Sequence, residues 1–164
     1  MADDPSEEDI FAWSEDQAAR LRRVAAGEAP PDGAGVDWPG VIEEIESVGR
    51  ISRFTVLTEF GKALRLVLMA YRWPDYQETG RWLAAADSAF GMASGFADAS
   101  MEGRIDLEEL YRKARELVGQ MKTEGHAPRP LPAMIPLGFR DLRYPHCGSY
   151  EMLRRVSAAG EERP

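Results

Sequence analysis

The sequence predicts an all-α fold: a compact single-domain bundle of five or six helices with a proline-rich C-terminal coil packed across it. Three observations lead there. Apolar residues recur at helical spacing through most of the chain. Serine or aspartate start signals and glycine or proline stop signals bracket those stretches. No segment shows the strict apolar–polar alternation of a half-buried strand. Residues 1–157 read as the one domain and residues 158–164 as a frayed tail.

The first helical stretch covers residues 6–26. Ser6 with Asp9 is a weak start, and Ser14 with Gln17 fits a capping box, in which each side chain satisfies a free backbone N–H. Ala18, Leu21 and Ala25 form its apolar edge, and Gly27 ends it. "GEAPPDGAG", residues 27–35, is a loop because proline and glycine dominate it.

Asp37 caps the next helix, with Trp38 and Pro39 in its first turn, where proline is tolerated. Val41, Ile45, Val48 and Ser52 then share one sector of the helix. Phe60, Leu64, Val67, Leu68 and Tyr71 share another, about a quarter turn away. The displacement, with Gly49 at the junction, predicts a kink or break near residues 49–52 and hence helices over 38–49 and 52–73. Pro74 stops the second.

"RWLAAADSAFGMASGFADAS", residues 81–100, places Ala86, Ala89, Ala93 and Phe96 on one face with Trp82. Such small residues let two backbones approach closely. The face suits a packing seam within the chain or, functionally, a homodimer interface. Asp106 and Glu109 form a capping box for a helix that Leu107, Tyr111, Ala114 and Val118 mark out and that Gly125 closes. "APRPLPAMIPLGF", residues 127–139, cannot be regular helix, yet its apolar residues suit a coil laid over the bundle. Ser149 is expected to cap a last short helix carrying Met152, Leu153 and Val156.

Composition narrows the function. At 164 residues the chain can bury roughly two thirds of its unfolded surface. Its longest apolar runs fall far below the roughly 20 residues of a membrane span. The acidic start "MADDPSEEDIF" is unlike a secretion signal. One cysteine, Cys147, suits a reducing compartment, so a cytoplasmic location is expected. The net charge of −8 disfavours nucleic-acid binding, which draws most of its affinity from neutralising phosphates, and favours a basic protein partner.

Several blocks stand in order along the chain: "WSEDQAARLR" (13–22), "VDWPGVIEEIESVGR" (36–50), "YRKAR" (111–115), and the "TEG" and "YPHC" of the ending. Together they resemble the bacterial family catalogued as "domain of unknown function 29". Three features depart from the family pattern. "MAYRW" puts Met69 where members often carry histidine, residues 83–100 are rich in alanine and glycine where members are usually charged, and the usual proline after Cys147 is missing. The resemblance implies an all-α fold and no established activity.

Glu43, Glu44 and Glu46 fan out around the apolar stripe, Glu43 opposite it and the other two on its flanks. They read as a solvated face. Glu46 precedes Arg50 by four residues, an exposed pair of roughly 0.2–0.5 kcal/mol. A metal-binding or hydrolytic alternative would gather Glu43, Glu46, Asp87 and Asp98, since helical metal sites need carboxylates converging from several helices. His146 beside Cys147 is poorly placed for nucleophilic catalysis, because neighbours in sequence rarely align a thiol with an imidazole. Trp13, Trp38, Trp73 and Trp82 are expected as core anchors, because aromatic side chains bury large areas. The expectation is a non-catalytic interaction or scaffold module without a cofactor.

Overall fold

A computed structural model describes residues 10–28, 35–97, 99–135, 137–142 and 148–161, with side chains in the first helix from Gln17 on. The described residues contain five α-helices and no strand: α1 (Ile10–Ala25), α2 (Trp38–Arg72), α3 (Thr79–Phe96), α4 (Leu107–Gln120) and α5 (Ser149–Glu161). Short 3-10 turns cover Ala99–Met101 and Phe139–Leu142. The all-α expectation is borne out. Contacts divide the chain into two compact units, Met1–Arg50 and Ile51–Pro164.

In the first unit, α1 ends in a Schellman turn. The Glu28 N–H donates to the Arg23 carbonyl and the Gly27 N–H to that of Val24, with Gly27 at φ +73°. Glycine takes this left-handed conformation without a Cβ clash. Asp37 caps α2 as its position predicts, accepting the Gly40 N–H at 3.1 Å. The Asp37 N–H donates to Oε1 of the buried Gln17 at 3.1 Å, which ties the α2 entry to α1.

The expected division near residues 49–52 does not occur, for α2 runs unbroken through 35 residues. Glycine within a helix costs roughly 1 kcal/mol, too little to end one between strong helical neighbours. The shift of apolar sector coincides with a change in what covers the helix. From Val56 onward the stripe enters the core of the second unit; before it, Val41 is buried, whereas Ile42, Ile45 and Val48 are exposed.

The core of the second unit is built from one face of each helix. Phe60 of α2 and Phe90 of α3 meet edge to face at 5.5 Å, a favoured aromatic geometry. Ala86, Ala89 and Ala93 are fully buried, and α3 contacts α5 and the 139–142 turn. A Cβ added at Gly91 or Gly95 would meet nothing within 4 Å, so the alanines supply the close packing and these glycines do not. Asp106 caps α4 through the Glu109 N–H at 2.9 Å, as predicted.

The proline-rich segment lies on this unit through buried Leu131 and Ile135. The Tyr111 hydroxyl donates to the Pro132 carbonyl at 3.0 Å, and the Arg129 N–H donates to the Arg72 carbonyl that α2 leaves free at its end. Where a frayed tail is expected from residue 158, α5 continues to Glu161. Its last turn is held close, since a Cβ at Gly160 would overlap the Tyr71 hydroxyl.

Candidate interaction surface

Of the four carboxylates considered for a metal, the structure gathers none into a site. Glu43 and Glu46 are exposed on α2, and Glu46 pairs with Arg50 at 3.6 Å. Asp87 of α3 accepts the Ser149 N–H at 2.7 Å. It therefore caps α5, the task the sequence assigns to the Ser149 hydroxyl. Asp98 lies outside the described residues, as do His146 and Cys147. Among the described residues, no three His, Cys, Asp or Glu side chains stand close enough to hold a metal ion.

The tryptophans divide. Trp73 is buried, with the Arg72 guanidinium 5.1 Å above its ring. Trp82 is half-buried and stacks on Tyr76 at 5.1 Å, and His126 meets Tyr76 edge-on. Trp38 is no core anchor. It stands in the first turn of α2, 51% exposed. The Trp13 side chain lies outside what the structure describes. Phe96, expected on the small-residue face, is also exposed.

Charged networks in the second unit serve the scaffold. The buried Asp141 carboxylate takes the Gly138 N–H at 2.7 Å and the Arg155 guanidinium at 2.7 Å, which fastens the 139–142 turn to α5. Arg155 also donates to Glu151. Hydrogen bonds from Arg154 and then Arg155 hold the Glu151 carboxyl down at about 2. Hydrogen bonds from Arg112 do the same for Glu109, also at about 2. Burial pushes the Tyr111 phenol up to about 12. Hollows on this unit are shallow, such as one lined by Glu108, Tyr111, Arg112 and Met134.

In the N-terminal part of α2 Val41 is buried, while the apolar positions around it are open. Trp38, Ile42, Ile45 and Val48 are between 51% and 68% exposed. At helical spacing they fall within a sector of about 120°. Glu44 and Glu46 border that sector on its two sides, while Glu43 faces away from it. Isolated exposed apolar residues are ordinary, and four on one helix face make this the candidate interaction surface. The periodicity of Ile45 and Val48 is legible in the sequence, and their exposure is not, because an apolar stripe reads the same whether a neighbour covers it or not.

Residues 6–142, most of the chain, match the family described as "Domain of unknown function DUF29". The chain belongs to that family. The DUF29 match spans both α1 and the exposed stripe of α2. A solved structure from Rhodospirillum rubrum, described as an alpha-helical protein of unknown function, is similar at a TM-score of 0.65 and 23% identity. The likeness covers 94% of this chain and 99% of that one, and it shows a shared helical fold. Comparison with curated proteins gives no match. No helix among the described residues is long and apolar enough to cross a membrane.

Proposed function

We propose that this DUF29 chain is a non-catalytic protein-interaction module that binds through the exposed face of α2. The observation that carries the reading is the row Trp38, Ile42, Ile45 and Val48, all large apolar side chains more than half exposed. Leaving such a row in water forgoes roughly 25 cal/mol for each Å² of apolar area, a gain that a partner can recover on binding. Helix faces with anchors at this spacing are a recurring recognition mode.

A homodimer through α3 is less well supported. Ala86, Ala89 and Ala93 are already covered within the chain, so a second copy could reach only Phe96 without opening the core. The interaction reading is tested by affinity capture from source cells with the wild-type chain and with Ile45→Ser/Val48→Ser. Proteins retained by the first and lost with the second support it. An identical retained set with both chains would remove it.

A further inference from the structure

The second unit carries a cleft between α2 and α4. It has a volume of about 260 Å³, and Leu57, Leu110, Ala114 and Leu117 make its apolar walls. Its two charged residues, Arg65 and Lys113, are both cationic, in a chain whose net charge is −8. The hollow at the start of α4, by contrast, is lined by Glu102, Asp106 and Glu108. Among the described residues, Arg65 has no ion-pair or hydrogen-bond partner. Lys113 reaches Glu109 at 3.4 Å, but that carboxylate already accepts two bonds from Arg112 at 2.6 Å. Both cations therefore keep bonding capacity for a ligand. Gly61 lines the cleft as well, within a helix of 35 residues where alanine is the more favourable choice. The chain's own packing does not demand the glycine, since a Cβ there would lie 3.8 Å from Leu110, an ordinary contact. What the missing side chain leaves is room inside the cleft.

We propose that this cleft binds a small anionic amphiphile, an unbranched carboxylate whose chain runs to about eight carbons. The surface differs from the exposed row of α2, and the proposal does not depend on the interaction reading above. Size sets the chain length. A cavity of about 150 Å³ accommodates benzene, so about 260 Å³ suits roughly ten non-hydrogen atoms. Drug-sized ligands generally need more than about 300 Å³. Chemistry sets the class. A neutral hydrocarbon would cover the walls and leave Arg65 and Lys113 unused. A bare anion such as phosphate would meet the cations and gain nothing from the leucines. A carboxylate on a short chain uses both. Its head accepts two parallel N–H bonds from the Arg65 guanidinium, a geometry that arginine provides and a simple ammonium does not. Its methylenes leave water as they lie against Leu57, Leu110 and Leu117.

The test titrates the full chain with octanoate, octan-1-ol and acetate by calorimetry, and circular dichroism confirms that each variant stays folded. Octanoate is expected to bind at millimolar concentration or below, about tenfold or more tighter than octan-1-ol, with an affinity that falls as salt rises. Acetate should not bind. Arg65→Gln/Lys113→Gln should erase the preference for octanoate over octan-1-ol. Gly61→Leu, which fills the cleft, should abolish binding of both. Arg65 and Lys113 are exposed, so the glutamine variant carries the test if Gly61→Leu does not fold. Ile45→Ser/Val48→Ser should leave octanoate binding unchanged, which keeps this site distinct from the row on α2. No binding of octanoate by the wild-type chain would overturn the proposal. So would equal affinities for octanoate and octan-1-ol, because the cations would then play no part. Octanoate binding that the glutamine variant retains in full, or that Ile45→Ser/Val48→Ser abolishes, would place the ligand elsewhere and overturn it too. Co-sedimentation with phosphatidylglycerol vesicles supplies the remaining arm. Capture of the wild-type chain that Arg65→Gln/Lys113→Gln abolishes, without octanoate binding, would make a membrane headgroup the occupant and overturn the free amphiphile.

Discussion

The Ser149 hydroxyl is buried with no hydrogen-bond partner among the described residues, while its backbone N–H is held by Asp87 of α3. A capping serine replaced by alanine usually costs about 1 kcal/mol. Here Ser149→Ala should leave stability unchanged or raise it, because an unpaired buried polar atom disappears. Asp87→Ala should give the loss instead, about 1 kcal/mol or more in urea denaturation. The sequence suggests a cap at this position but assigns it to the wrong residue. The true acceptor is 62 residues away, and no local pattern could name it. Tyr111 makes a second prediction. Its buried phenol is raised from an ordinary 10 to about 12, so the folded chain favours the neutral form. The stabilisation is complete below pH 10 and disappears as pH rises toward about 12. Alkaline titration followed by tyrosinate absorbance and circular dichroism should show unfolding in that window, and Tyr111→Phe should remove this contribution to the alkaline transition.

Within elements, α3 separates two kinds of small residue that the sequence presents alike. Gly91→Ala should stabilise the protein by roughly 1 kcal/mol, since the new methyl meets open space and the helix loses a flexible residue. Ala93→Leu should destabilise by about 1–3 kcal/mol or more, because that site is fully buried and already filled. Thermal melts of the two variants should therefore shift in opposite directions. Helix α2 shows where reading from pattern fails. Its Asp37 cap and the stop before Pro74 are legible because both act within a few residues. The break inferred at Gly49 is not there. A displaced apolar sector has two causes, a bend in the helix or a change in what covers it, and periodicity cannot separate them. Trp38 reads as a core residue in the sequence for a related reason. Its size favours burial, but its position in the first turn of α2 leaves half of it in solvent.

At the scale of the molecule, the helical class and the α4 cap are written in spacing and capping residues, while the candidate interaction surface depends on exposure that only the folded chain reveals. Acid sensitivity belongs to this scale. Glu109 and Glu151 are depressed from 4.5 to about 2 by their arginine partners. Stability from these pairs is present above the ordinary carboxylate value and is lost as pH falls from about 4.5 toward 2. Both pairs are exposed, so the effect is small and screened by salt. Raising ionic strength should shrink the change in thermal midpoint across that interval. The exposed row on α2 has a consequence for handling as well. An apolar resin or plastic plate would hold the molecule by Trp38, Ile42, Ile45 and Val48. Immobilised in that way, the chain would turn its row toward the support, and a binding assay there would test a face already covered.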